Sequence, residues 1–359
     1  MPDLLKNMFN HWSLGEIAAA IQLVYPSFPP NEFLKTTMDE TWEGLELKAR
    51  GRKITTSLGK YLPADYGAAL AILEKALRGF PVAFFFPDFV ELYGQGDADW
   101  ELSISALGRN TEYWSSEFAV RPFIIKHEER MMAQMYEWAG SENEHIRRLA
   151  SEGCRPALPW GQALNKYKKD PSPIMPILTR LKTDPSLFVR KSVANNLNDI
   201  SKTHPDFIAK LAKDWYGKNE RTDWIVKHGC RTLLKKGNRD VLTIFGYDDA
   251  TAVEVAGFAL GAAAVSIGDN IEFSFSISVK DATKVRLEYG IDYVKANGKR
   301  NRKIFQISEI SLRANDKKLY TKKHSFADLS TRKHYAGIHS ITLIVNGAER
   351  VTLDFAVNI

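Results

Sequence analysis

The sequence predicts a multi-domain chain in which an all-α helical-repeat solenoid is followed by an all-β sandwich. Over residues 1–246, apolar residues recur at helical spacing, and Pro and Gly separate segments of helix length. From about residue 251 apolar and polar residues alternate, which is the period of a half-buried strand. A length of 359 residues suits two or three domains. We therefore expect a helical domain at 1–246, a linker at 247–250 and a β-domain at 251–359.

The helical part contains a degenerate repeat. Three segments share a Val/Ile-Arg/Lys core, with spacings of 43 and 37 residues between the aligned cores: 141–153, 184–200 and 220–235. A period of about 40 residues is typical of HEAT repeats, in which each helix pair buries its apolar face against its neighbours. The fold class predicted for this part is therefore an all-α HEAT-like repeat solenoid.

The β-domain is predicted from its alternation and its turns. Residues 271–279 alternate for nine positions, and shorter strand-like runs follow at 284–290, 304–312 and 351–357. The Asn346-Gly347 pair is a hairpin turn signal. About seven short strands in about a hundred residues indicate an immunoglobulin-like sandwich. The likeness is one of architecture, because this part has no Cys pair or core Trp of the antibody type.

The basic residues are concentrated in two blocks. The whole chain carries +6, but residues 121–236 hold 22 Lys/Arg against 13 Asp/Glu, and residues 295–333 hold 12 against 3. Such blocks favour a polyanion such as nucleic acid, although a solvated lysine-rich surface has the same composition.

Several classes of protein are not indicated. We find no signal peptide and no long apolar run, and two cysteines give no disulfide framework, so we expect a cytoplasmic protein without a membrane partner. There is no P-loop and no GxGxxG, and the histidines lack zinc-type spacing with the cysteines. We therefore expect a monomer without a cofactor or metal.

The three repeat helices each place polar side chains on one stripe at helical spacing. Stacking the repeats would align the stripes into one basic surface that contains two carboxylates, Glu152 and Asp199. Basic residues can hold the DNA backbone by counterion release, and carboxylates there can face a cationic base or sugar. The stripes are Arg148, Glu152 and Arg155; Lys191, Asn195 and Asp199; and Lys227, Arg231 and Lys235.

Each of these residues also has an ordinary interpretation. Arg148 and Glu152 at i, i+4 form a common surface ion pair, and Asn195 with Asp199 can be a local hydrogen-bonded pair. Trp160, after Pro159 at a predicted helix start, is either a core residue or an aromatic wall for a cationic target.

One further carboxylate lies in an aromatic-rich segment. Glu117 has Tyr113, Trp114 and Phe118 as neighbours in sequence. Its carboxylate is either paired with Arg121 at i+4 or held for function.

Three segments resemble the AlkC branch of the bacterial DNA alkylation repair glycosylases, which is related to the AlkD branch. They are WSSEFAVRPF (114–123), WAGSENEHIRRLASEGCRPALPWG (138–161) and SVANNLNDISKTHPD (192–206). The resemblance covers the helical part, and the β-domain resembles the C-terminal module of one AlkC subgroup. It implies that the acidic groups of the site are Glu117, Glu152 and Asp199. It also implies that its aromatic is Trp160, and that Arg148 probes the minor groove beside the lesion.

The resemblance implies a monofunctional glycosylase that releases alkylated bases such as 3-methyladenine from double-stranded DNA, without full base flipping. Two other functions remain open on the residues alone. A HEAT-repeat scaffold that binds nucleic acid without catalysis would not need the acids. A protein-interaction solenoid would show no salt-dependent DNA binding.

The β-domain carries basic clusters in its predicted loops. They could contact DNA, although lysines on loops and edge strands also serve solubility. The residues we expect to contact DNA there are Lys299, Arg300, Arg302, Lys303, Arg332 and Lys333.

Overall fold

The computed structural model describes residues 5–247, 250–329 and 332–359. The chain divides into two compact units. One comprises the chain up to Thr203 together with Asn219–His228, and the other comprises His204–Lys218 together with Gly229–Ile359. The last helices of the helical part therefore group with the strands. No helix in the described ranges has the length and apolarity needed to cross a membrane.

Helices dominate the chain as far as Ile244, as predicted, and short 3₁₀ turns lie between some of them. The α-helices of the described ranges are α1 (His11–Val24), α2 (Pro30–Thr37), α3 (Leu47–Tyr61), α4 (Tyr66–Leu77), α5 (Phe86–Tyr93), α6 (Trp100–Asn110), α7 (Val120–Lys126), α8 (Glu128–Trp138), α9 (Glu144–Gly153), α10 (Asn165–Lys169), α11 (Met175–Leu181), α12 (Leu187–Ile200), α13 (Pro205–Trp215), α14 (Glu220–Gly229), α15 (Arg231–Lys235) and α16 (Arg239–Ile244).

The first two repeat segments form equivalent helices, α9 and α12. Their N-caps, Asn143 and Ser186, are 43 residues apart, and each side chain accepts a hydrogen bond from a backbone N–H of the first turn. Arg147 and Arg190, also 43 residues apart, each donate to two carbonyl oxygens just before their helix, at 2.8–3.0 Å. The repeat therefore extends to the hydrogen bonds that begin each helix.

The third repeat segment differs from the prediction. Residues 220–235 do not form one helix, because α14 ends at Gly229 and α15 begins at Arg231 after Cys230. Glycine is a poor helix former, and the thiol of Cys230 is buried. Lys227 therefore lies on a different helix from Arg231 and Lys235. The predicted stripe is wrong for Lys227, whereas Arg231 and Lys235 keep their i, i+4 spacing on α15.

The β-domain consists of two sheets, as expected of an immunoglobulin-like sandwich. One sheet has the order β1-β3-β6 and the other the order β2-β8-β7-β4-β5, with antiparallel pairs except for β2 and β8. The strands of the described ranges are β1 (Val253–Leu260), β2 (Ala264–Ser266), β3 (Asn270–Val279), β4 (Thr283–Val294), β5 (Arg300–Leu312), β6 (Lys317–Ser325), β7 (Gly337–Val345) and β8 (Ala348–Asn358).

Alternation along the strands builds the core of the sandwich. In β3 the apolar residues Phe273, Phe275 and Ile277 are fully buried, while their polar neighbours are not. The predicted Asn346-Gly347 turn joins β7 to β8, and both residues have positive φ, 46° and 75°. This is the backbone that a two-residue turn requires, so the turn fixes the register of the hairpin.

Candidate active site

Three carboxylates and two arginines form one continuous chain of ion pairs. Glu117 Oε2 accepts from Arg148 Nη1 at 2.6 Å, and Arg148 Nη2 lies 3.9 Å from Glu152 Oε1. Arg155 then joins two carboxylates, since its Nη1 lies 2.5 Å from Glu152 Oε1 and its Nε lies 3.0 Å from Asp199 Oδ2. The structure thus brings together all three acids that the sequence analysis singled out.

The packing of α9 against α12 places two of the acids side by side. Glu152 and Asp199 each lie in the last turn of their helix. The Asn196 side chain donates to the carbonyl oxygen of Ser151 at 3.0 Å and ties α12 to α9. Gly153 permits a close approach of α7 to the end of α9, because a Cβ on Gly153 would lie 2.7 Å from the Val120 side chain.

The C-terminus of a helix carries partial negative charge and disfavours a carboxylate there. Neighbouring cations are therefore needed to stabilise these two carboxylates. Glu152 and Asp199 are each only 5% exposed. Lys202 Nζ lies 2.9 Å from Asp199 Oδ1, while Arg155 binds the other oxygen, Oδ2. Burial opposes the charge of Arg155, but the two carboxylates outweigh it and raise the pKa of its guanidinium.

Arg155 itself lies differently from the prediction. We expected a DNA contact, but the side chain is buried with its guanidinium bound to Glu152 and Asp199. Its position three residues after Glu152 could predict the contact with Glu152. It gave no signal for the contact with Asp199, which is 44 residues away in sequence. Lys202 was not predicted either, although its place three residues after Asp199 is a signal that could have identified it.

Arg148 pairs with Glu117, and the alternative pairing of Glu117 with Arg121 is wrong. The Arg148 guanidinium also donates a hydrogen bond to Ser115 Oγ at 3.0 Å, and it lies 4.7 Å from the ring centroid of Phe188. Ser115 donates to the same oxygen of Glu117 through a short hydrogen bond. Ser115, Glu117 and Phe188 together fix the direction of the Arg148 side chain.

Arg121 has a different role, because it is fully buried and binds backbone carbonyls. Its guanidinium donates to the carbonyl oxygens of Gly153 and Arg155 at 2.9 Å each and to that of Gln162 at 2.5 Å. Burial lowers the pKa of this guanidinium to about 10. Arg121 therefore clamps both ends of the loop that carries Trp160.

Trp160 lies in a turn, and not at a helix start as predicted. The next helix, α10, begins only at Asn165. The indole is 73% exposed, which excludes the core interpretation, and the backbone has a φ of 62°. A non-glycine residue in this left-handed region is disfavoured by about 1 kcal/mol, so the surrounding contacts must hold it there. One such contact is Lys48 Nζ, which donates to the Trp160 carbonyl oxygen at 2.9 Å.

The other predicted DNA contacts of the helical part are divided between the two compact units. Lys191 is exposed on α12, Asn195 is half-buried on the same helix, and Lys227 is half-buried on α14. Arg231 and Lys235 belong to the second unit.

In the β-domain, Lys303, Arg332 and Lys333 line one concavity of about 490 Å³ together with Lys295. Burial, with a contribution from Arg332 and Lys295, lowers the pKa of Lys303. The concavity therefore concentrates positive charge.

The remaining basic residues of the β-domain are distributed unequally. Lys299 lies in the hairpin turn and is exposed, and Arg300 donates to Ser340 Oγ at 2.8 Å. Arg300, Arg302 and Lys303 were predicted in a loop, but all three lie within β5. Arg302 pairs with Asp292 at 2.6 Å and closely with Glu349. These two ion pairs occupy its guanidinium.

No group of three or more metal-ligating side chains occurs within the described ranges. Both cysteines are buried, and burial raises the pKa of each thiol to about 12.

The candidate site lies within a part of the sequence that matches the profile of a known family. A family profile described as "DNA alkylation repair enzyme" matches residues 111–237, which include all three acids and Trp160. A second profile, described as the C-terminal Ig-like domain of the uncharacterised protein YhaZ, matches residues 254–359.

Two relatives match over nearly the whole chain. The uncharacterized protein YhaZ of Bacillus subtilis is 48% identical over 355 residues, which is 98% of this chain and 99% of that protein. The alkylpurine DNA glycosylase AlkC of Pseudomonas fluorescens, solved bound to DNA with an abasic-site analogue, is 35% identical. It superposes with a TM-score of 0.95, covering 99% of this chain and 100% of the AlkC chain.

Proposed function

This chain belongs to the AlkC-type family of DNA alkylation repair enzymes, and we propose that it is a monofunctional DNA glycosylase. Its substrates would be N-alkylated, cationic bases such as 3-methyladenine in duplex DNA. The observation that carries the proposal is the single ion-pair chain that holds Glu117, Glu152 and Asp199 together. The exposed Trp160 lines a pocket with Ser115, whose hydroxyl bonds Glu117.

The proposed reaction is hydrolysis at C1′ of the damaged nucleotide. The C1′–N bond breaks and its electron pair goes to the base, which leaves neutral because alkylation had made it cationic. Positive charge develops on the sugar, and the carboxylates stabilise it. Water adds to C1′ and gives its proton to a carboxylate or to solvent. The products are a free base and an abasic site.

The cations of the site limit how much negative charge is available. Arg155 and Lys202 neutralise part of the charge of Glu152 and Asp199. The two carboxylates can therefore stay buried in the free protein, before DNA is bound. We propose that Arg148 leaves Glu117 and enters the minor groove when DNA binds. This movement would expose the Glu117 carboxylate to the sugar at the moment when the lesion is engaged.

Trp160 would provide a flat aromatic wall for the deoxyribose. The face of an indole attracts positive charge, so it favours the same cationic sugar as the acids. An exposed indole on a turn can reach into DNA without a deep base pocket, which is consistent with cleavage without full base flipping. The proposed enzyme acts as a monomer and needs no metal.

The experiment is incubation of the full chain with methylated duplex DNA and chromatographic identification of the bases that are released. We expect free 3-methyladenine, and we expect Glu152→Gln and Asp199→Asn to lower the rate by about 10²–10³ while DNA binding remains. Glu129→Gln, at an exposed carboxylate on α8, is the matched control and keeps the full rate. Equal release by all variants would favour a binding scaffold contaminated by another glycosylase.

A further inference from the structure

A separate pocket opens beside Trp160. It has a volume of about 390 Å³ and lies between α3, α5 and the 115–119 segment. Ser115 lines it and also bonds Glu117 and Arg148, so the pocket borders the ion-pair chain without containing its carboxylates. A volume of this size is within the range of small-molecule sites.

The walls of the pocket suit a flat ring. Phe118 and Trp160 both line it, and Lys48 joins them: its Nζ lies 4.6 Å from the Phe118 ring centroid and binds the Trp160 carbonyl oxygen. Two aromatic side chains and one fixed ammonium group give a surface on which a heteroaromatic ring can stack and accept a hydrogen bond.

The floor of the pocket carries two carboxyl groups. Asp88 Oδ1 and Glu91 Oε1 share Arg52 Nη2, at 2.8 Å and 2.7 Å. Both Asp88 and Glu91 line the pocket, so their carboxyl groups are placed to accept a hydrogen bond from a ligand. Burial raises the pKa of both carboxyls more than Arg52 lowers it.

This chemistry selects among the parts of a nucleotide. Arg52 is already paired with both carboxyl groups, so its guanidinium is not free to bind a phosphate. An aminopurine presents an N–H donor that a carboxylate oxygen can accept from, and a ring-nitrogen acceptor that can receive a hydrogen bond from Lys48. A free base therefore fits the pocket better than the DNA backbone does.

We infer that this pocket binds the methylated aminopurine after its release from DNA, an inference that rests on the proposed glycosylase function. The pocket would remove the neutral base from the sugar and from the carboxylates of the ion-pair chain. Added free base would compete for the pocket and slow turnover.

The test is calorimetric titration of free 3-methyladenine into the full chain. We expect saturable binding, with Asp88→Asn and Glu91→Gln each weakening it by about tenfold, which corresponds to about 1.4 kcal/mol. Purine, which lacks the amino group, should bind more weakly than 3-methyladenine to the wild-type chain. Glu129→Gln is again the control and should bind the base like the wild type.

The outcomes separate the pocket from the proposed function. A chain that releases 3-methyladenine from DNA but does not bind the free base would overturn the pocket alone. Equal binding by the wild type, Asp88→Asn and Glu91→Gln would also overturn it. A chain that releases no base from methylated DNA would overturn both proposals.

Discussion

Replacement of Arg155 by methionine tests the electrostatics of the site through stability. Arg155 joins two carboxylates that are each 5% exposed. Without it, Glu152 keeps only the 3.9 Å contact with Arg148, while Asp199 keeps Lys202 at 2.9 Å. Removal of one partner from a buried ion pair costs about 3–5 kcal/mol. Because Asp199 retains a cation, we expect Arg155→Met to lower the free energy of unfolding by about 3 kcal/mol.

The assay is denaturant-induced unfolding of the full chain, followed by tryptophan fluorescence. Lys166→Met is the control, because Lys166 pairs with Glu128 but is 71% exposed in its side chain, and such surface pairs contribute at most about 1 kcal/mol. In a background of Glu152→Gln and Asp199→Asn, Arg155→Met should be much less harmful, since it no longer strands two charges. If Arg155→Met is no more destabilising than Lys166→Met, the reasoning about the buried carboxylates is refuted.

Three further predictions follow from other contacts. Burial lowers the pKa of His324 from 6.5 to about 4. Between these pH values the His324 imidazole is therefore neutral in the folded chain but protonated in the unfolded chain. Stability present above pH 6.5 should therefore fall by about 3 kcal/mol between pH 6.5 and 4, as urea titrations would show, and His324→Gln should flatten this dependence. Glu117→Gln should release Arg148 and tighten binding of undamaged duplex by several-fold, measured by fluorescence anisotropy, whereas Glu129→Gln should not. Because the Lys202 ammonium is paired with Asp199, it should not form an imine, and borohydride should trap no protein on abasic DNA.

Each of these has a clear contrary result. Stability that is constant from pH 7 to 4 would mean that His324 is not held neutral by its burial. Weaker duplex binding by Glu117→Gln would mean that Glu117 does not restrain Arg148. A borohydride-dependent covalent adduct would show amine chemistry and contradict a monofunctional reaction.

Local patterns predicted most of the fold. Period-two alternation predicted the ends of β3 and β8 to within a few residues. The Asn346-Gly347 pair identified the β7–β8 hairpin, because few residue pairs tolerate positive φ at both positions. The break at Gly229 was missed because the apolar spacing continues across it into α15. Spacing alone cannot show where one helix ends and the next begins.

The sequence predicted the acids of the candidate site and the nearby Arg148, but not the long-range partners of Arg155 and Arg121. Glu152 and Asp199 lie in repeat helices that align, so their proximity follows from stacking. The Arg155–Asp199 bond and the Arg121 clamp join residues 32 to 44 positions apart, and no local pattern encodes them. The turn at Trp160 depends on such contacts, which explains why it was mistaken for a helix start.

The most direct test of the proposed carboxylate role compares two abasic analogues in the same duplex, a cationic pyrrolidine and a neutral tetrahydrofuran. If Glu117, Glu152 and Asp199 face a sugar that becomes positive, the chain should bind the pyrrolidine at least about tenfold more tightly, and Glu152→Gln or Asp199→Asn should reduce that preference. Equal affinity for the two analogues in the wild-type chain would contradict a site built to stabilise a cationic sugar.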